Sequence, residues 1–280
     1  MGSTDRTASA AVKKRKRQKF PPKKSTSMET KNEVKSGSKK IKSNGKKKNE
    51  IEAKADKQRR YDAVQLATAS QQLDFFVHHY QSGNGAKLSS LELDSLKEAR
   101  FIELCQGPVQ NATSNLGEHM KVAFGSSWKE MLCEKHIQEG ELDPGNPALL
   151  MISLSALRSL ELLRELRPLT NDCHAAKLFS KHMKVEEQVS MLKNRVNIAS
   201  GTPSRIKKLI DMEALGLSRL AVIVLDMHTD VKGYSLFTLP QVRNEFWDLY
   251  KTFLHQPLLA GDLRICLYGP VPSVSEGKKK

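Results

Sequence analysis

Two short stretches carry residue types that handle phosphates. The first is Ala199-Ser200-Gly201-Thr202-Pro203-Ser204-Arg205, followed at once by Lys207 and Lys208. Thr202 before Pro203 reads as a helix start, with Thr202 as cap and Pro203 in the first position. Exposed amides at a helix start beside a guanidinium form a phosphate site. The same residues also describe an ordinary capped helix with a solvated basic face. The second stretch is Val224-Leu225-Asp226-Met227-His228-Thr229-Asp230, an aspartate ending an apolar run. A carboxylate in that position either holds magnesium through water or caps the next loop.

Other chemistry is poorly represented. A phosphate-binding loop needs Gly, four residues, then Gly-Lys and a hydroxyl, so that backbone amides and the lysine cradle the phosphates. The Gly-Lys pairs are Gly45-Lys46 and Gly277-Lys278, and each is followed by another Lys without a glycine at the required spacing. Cys133-x-x-His136 and Cys173-His174 lack the two further ligands of a zinc site. No metal or other cofactor is implied, and no nucleophile–base pair can be read. The cysteines 105, 133, 173 and 266 are too widely spaced for a disulfide framework and read as reduced.

The elements that would position these loops follow from periodicity. Helices are predicted at Arg60–Phe76, Ser89–Leu104 and Leu116–Leu132, with a loop over Gln81–Ala86. Beyond Pro144 the pattern alternates. Strands are predicted at Ala148–Leu154, Arg195–Ala199, Leu220–Leu225 and Leu263–Leu267. Between them come a helix with Leu157, Leu160, Leu163 and Leu166 inward and Arg158, Glu161 and Arg164 outward, then helices at Val185–Lys193, from Pro203, and over Pro240–Leu254. Leu220–Leu225 is continuously apolar, as in a strand covered on both faces. Alternating strands and helices imply a parallel sheet, whose ligands gather at the carboxyl ends of its strands. Trp128 and Trp247 are expected in the core, and His78-His79 on a partly exposed helix surface.

Charge divides the chain. Its formal net charge is +15, and residues 1–60 account for all of it with 21 basic and 6 acidic side chains. Residues 61–277 hold 22 basic and 25 acidic side chains, a net of −3. The first 60 residues have no Leu, Trp, Tyr or Cys, so they cannot bury enough apolar area to offset chain ordering and are expected to be disordered alone. Lys13, Lys14, Arg15, Lys16, Arg17 and Lys19 form a cluster suited to a nuclear import receptor, or to a polyanion whose counterions it displaces. No apolar run approaches the roughly 20 residues of a membrane span, so no membrane partner is expected.

The two phosphate-type stretches also carry a resemblance. Gly201-Thr202-Pro203-Ser204-Arg205 resembles the TPGR motif of DEAD-box RNA helicases, and Val224-Leu225-Asp226-Met227-His228-Thr229 resembles their VLDEAD motif. Leu154–Glu161, with Arg158, is similar to their PTRELA segment. More closely, the basic tail, Lys177-Leu178-Phe179-Ser180-Lys181-His182, Gln188 and the Gly201–Arg205 loop resemble the CMS family of ribosomal small-subunit factors. The resemblance implies an α/β fold with one RecA-like parallel-sheet domain at 146–272. A helical extension would span 61–145, after the basic tail at 1–60, and a short basic tail would occupy 273–280. It implies a nucleolar protein whose partners are pre-ribosomal RNA and small-subunit processome proteins. Thr202, Arg205, Lys207 and Lys208 would contact RNA. In the second motif Met227 stands for the water-positioning glutamate and Thr229 for the last aspartate. Asp226, Met227, His228 and Thr229 thus read as a degenerate nucleotide motif, and the chain as a non-enzyme. The alternative is a chromatin or replication factor whose tail binds DNA or acidic partners. Deleting residues 1–60 should abolish nucleolar accumulation of a fluorescently tagged chain while its circular dichroism stays that of a folded domain. Unchanged localisation would place the address elsewhere.

Overall fold

The computed structural model describes residues 66–84, 87–104, 116–134 and 144–272. The import cluster, Arg60, Cys105, His136 and the terminal segment 273–280 lie outside the described residues.

Five short apolar runs pair side by side because none can satisfy its backbone alone. They are β1 (Leu149–Ile152), β2 (Ala176–Leu178), β3 (Ile198–Gly201), β4 (Val222–Asp226) and β5 (Arg264–Tyr268). The sheet order is β2-β3-β1-β4-β5 and every pairing is parallel. Beyond β5, Phe101 forms one further parallel bridge with Ile265, and the Ile102 amide donates to the Ile265 carbonyl at 2.7 Å.

The central strands β1, β3 and β4 are buried throughout because successive residues feed two different cores. Leu150, Ile152, Ile223, Leu225, Ile265 and Leu267 face one core, while Leu149, Met151, Val222, Val224, Cys266 and Tyr268 face the other. The first core is closed by α1 (Ala69–Asn84), α5 (Val185–Leu192), α6 (Pro203–Asp211) and α7 (Pro240–Leu249). The second is closed by α3 (Leu116–Phe124) and α4 (Ala156–Glu165). Two short helices, α2 (Ser90–Ser95) and α8 (His255–Ala260), lie among them. Residues on both sides of position 145 share the first core: the Phe76 ring lies 5.8 Å from that of Phe101, 5.3 Å from Trp247 and 5.1 Å from Tyr250.

Several elements differ from the sequence reading. The segment Gln81–Asn84, read as loop, is the last turn of α1. Tyr80 packs edge-on to Trp247 at 5.4 Å, and a Cβ on Gly83 would lie 2.7 Å from the indole Nε1, so glycine lets the helix run on against that ring. The edge strand β2 was not anticipated, being only three residues long with Lys177 exposed at its centre. Strand β3 begins at Ile198 rather than Arg195. The predicted Pro240–Leu254 helix is α7 followed by a π turn at Tyr250–Leu254 and then α8. Pro257, with no N–H to donate, follows that change of register. Trp128 is half-exposed, with Lys121 Nζ 4.9 Å and Lys129 Nζ 5.7 Å from its ring, while Trp247 is core as expected.

The largest revision concerns α4. Leu157, expected inward, is 61% exposed, and Arg158, expected outward, turns inward. The buried face is Ser159, Leu162 and Leu166. Ser159 Oγ bonds Ser153 Oγ at 2.8 Å, and its carbonyl accepts from Ser200 Oγ at 3.3 Å. A satisfied serine therefore occupies the buried face beside Leu162.

Candidate functional site

Both candidate loops leave carboxyl ends of strands. Since β1 lies between β3 and β4, they are separated by one strand.

At the end of β3 the chain passes very close to the edge strand. A Cβ on Gly201 would meet the Leu178 carbonyl oxygen, so glycine is required there. Thr202 occupies the cap position with φ −100° and ψ 148°, and Pro203 opens α6 as read from the sequence. The expected hydroxyl cap is absent, however. Instead the Thr202 amide donates to the Leu178 carbonyl at 3.1 Å.

Arg205 folds back over the same edge. Its Nη1 donates to Gln188 Oε1 at 2.7 Å and to the Met183 carbonyl at 3.4 Å. Gln188 is fully buried, and its Nε2 donates to the carbonyls of Lys177 at 2.7 Å and Phe179 at 2.9 Å. Arg205 therefore completes a polar clamp on the edge strand. Lys207 pairs with Asp211 at 2.9 Å and Asp248 at 3.7 Å, and the bond to Asp211 raises its ammonium above the ordinary lysine value. Lys208 is exposed.

At the end of β4 the arrangement is acidic and closed. Asp226 is completely buried. Arg158 Nε donates to both carboxylate oxygens, at 3.1 Å and 3.0 Å, and its Nη1 reaches Glu161 at 2.9 Å. Burial opposes the guanidinium charge, but the Asp226 carboxylate outweighs it and the Arg158 value is raised. His228 Nδ1 lies 2.9 Å from both Asp226 Oδ1 and Arg158 Nη2. One ring nitrogen cannot donate to the first and accept from the second, so the proton position chooses its partner. Tyr268 donates its hydroxyl to Glu165 Oε2 at 2.5 Å. Burial pushes the Glu165 carboxyl above its usual range despite that bond, and burial likewise pushes the Tyr268 hydroxyl up.

The structure thus joins Asp226 and His228 in one cluster and separates their neighbours. Met227 is buried in the first core, with its amide on the Tyr268 carbonyl at 2.8 Å, and Thr229 is exposed. Arg158 was missed as a site residue because it was expected to point outward from α4, and Glu165 and Tyr268 complete the cluster. Among the described residues no group of three or more His, Cys, Asp or Glu could hold a metal ion. Cys133, Cys173 and Cys266 are free thiols, and burial pushes Cys266 up to about 12. His79 stacks on Phe75 at 4.0 Å, and burial lowers its value, while His78 is exposed, as a helix-surface pair would be.

Residues 3–268 match the family described as CMS1, U3-containing 90S pre-ribosomal complex subunit. The chain belongs to the CMS1 family. Protein CMSS1 of Xenopus laevis is 33% identical over 147 residues, covering 51% of this chain and 53% of that protein. Protein CMSS1 of Homo sapiens is 35% identical over 128 residues, covering 44% and 46%. Protein CMS1 of Chaetomium thermophilum is 34% identical over 152 residues, covering 53% and 58%. The chain spans about half the length of the curated relatives it matches. Within this CMS1-family chain, several of the described residues that carried the sequence resemblance meet physically. The Lys177–Phe179 edge, Gln188 and Arg205 form one hydrogen-bonded unit.

The raised Glu165 carboxyl gives a pH signature. The folded state holds this proton above 4.5, where the unfolded chain has released it, so stability falls as pH rises from 4.5 through the folded value. Glu165→Gln keeps an acceptor for Tyr268 and removes the charge. It should raise the thermal midpoint by a few degrees at pH 7 and give no gain at pH 4, measured by differential scanning calorimetry. A loss at pH 7 would mean that the Glu165 charge stabilises the cluster.

Proposed function

We propose that the chain is a non-catalytic assembly factor of the 90S pre-ribosome, working in the nucleolus on pre-ribosomal RNA and small-subunit processome proteins. Its sheet domain acts as a RecA-like, helicase-related scaffold without ATP hydrolysis. Membership of the CMS1 family supports the setting, and motif order along the parallel sheet supports the ancestry.

One observation carries the non-catalytic reading. The strand-end carboxylate of Asp226, where a nucleotide-hydrolysing fold would hold a hydrated cation, has both oxygens on the Arg158 guanidinium. A guanidinium delivers a fixed positive charge and directed donors, and it cannot exchange water or substrate. Met227 is buried in the core beside it, so no carboxylate is offered there to orient an attacking water. RNA contact falls to the Thr202–Lys208 segment. Lys208 is its exposed cation, while Arg205 and Lys207 act from within their internal bonds.

The test has two arms. Crosslinking in cells should recover small-subunit precursor RNA attached to peptides from 202–208, and recovery of chromatin partners alone would contradict the RNA reading. Phosphate release from ATP by micromolar full-length chain with RNA should stay at background. RNA-stimulated release that Asp226→Asn abolishes would overturn the non-catalytic reading.

A further inference from the structure

A groove of about 630 Å³ runs along the outer side of α4 towards the edge strand β2. Its rim carries Arg164, Arg167 and Lys177, all three exposed, and His174. No Asp or Glu lines it, and none of the three cations forms an ion pair among the described residues. Its floor is aliphatic, built from Leu160, Leu163, Ala175, Met183 and Met191. This concentration of positive charge stands on a region, 61–277, whose net charge is −3.

We propose that this groove docks an acidic, aliphatic peptide segment of a partner protein. The cationic rim selects carboxylates, and the lack of lining acid removes any repulsion. Leucine and methionine side chains suit aliphatic anchors, since methionine adapts its shape to what it packs against. Single-stranded RNA fits less well, because no Phe, Tyr or Trp lines the groove and His174 is the one ring among its lining residues. The chain's own N-terminal segment, at +15, has the wrong charge. Strand addition at β2 is also disfavoured, because Gln188 already holds the carbonyls of Lys177 and Phe179. The partner is therefore read through its side chains. The proposal does not rest on the RNA reading.

The experiment compares full-length chain with its R164E/R167E/K177E variant by fluorescence anisotropy. The probes are a labelled 16-residue amphipathic peptide of Glu and Leu, the same peptide with Ser for Leu, and a uridine 20-mer. Because both proteins keep the basic tail, its non-specific contribution cancels. The Glu/Leu peptide should bind the variant at least tenfold more weakly, and the Ser peptide should bind wild-type chain no better than the variant binds the Glu/Leu peptide. Circular dichroism melting should be unchanged, since all three positions are exposed. Equal peptide affinity for both proteins would overturn the proposal, as would a tenfold loss confined to the uridine 20-mer, which would make the groove an RNA surface.

Discussion

A carboxylate at the end of a central parallel strand must be neutralised, and that requirement organises the rest of this domain. Asp226 is completely buried, and isolated burial of its charge would cost several kcal/mol. Arg158 meets it from the neighbouring helix, contacting both oxygens through Nε. To do so, α4 must turn a charged side chain inward and leave Leu157 exposed. Ser159 then faces the sheet and is satisfied by Ser153 and Ser200. His228 and Glu161 gather on the same guanidinium, and Glu165 with Tyr268 borders it. The arrangement gives a strand-end carboxylate a permanent internal partner.

The Gly201–Arg205 segment is likewise held by internal bonds. Gly201 is held by the approach of the Leu178 carbonyl, and Arg205 by the buried amide of Gln188. Removing the arginine would leave that amide oxygen short of its donor, a loss of about 1–3 kcal/mol for a buried polar group. These bonds give the motif a reason to persist in the fold that is independent of RNA. They leave Lys208 as the cation most available to a ligand.

Much of the architecture was legible in the sequence, because it depends on patterns that one strand or helix displays by itself. Leu220–Leu225 announced a strand buried on both faces, and Thr202-Pro203 announced a helix start. What escaped depends on contacts across the fold. Three residues of edge strand around Lys177 alternate buried, exposed and buried, but the run is too short for the pattern to be read. The last turn of α1 is helical because Gly83 lies against Trp247, a residue 164 positions away. Arg158 belongs to the site because Asp226 needs a cation, whereas the leucine spacing of α4 placed it in solvent. In the site, Asp226 and His228 were visible from sequence, but the groups that define their chemistry were not.

Asp226 serves as the buried anchor of Arg158. A double-mutant cycle of Arg158→Met and Asp226→Asn, followed by chemical denaturation, measures that coupling directly. Each single change should cost about 3–5 kcal/mol, because it strands its buried partner. The double variant should cost less than the sum by more than about 1 kcal/mol. Additive losses agreeing within about 0.5 kcal/mol would contradict the account, since the two residues would then stabilise the fold independently.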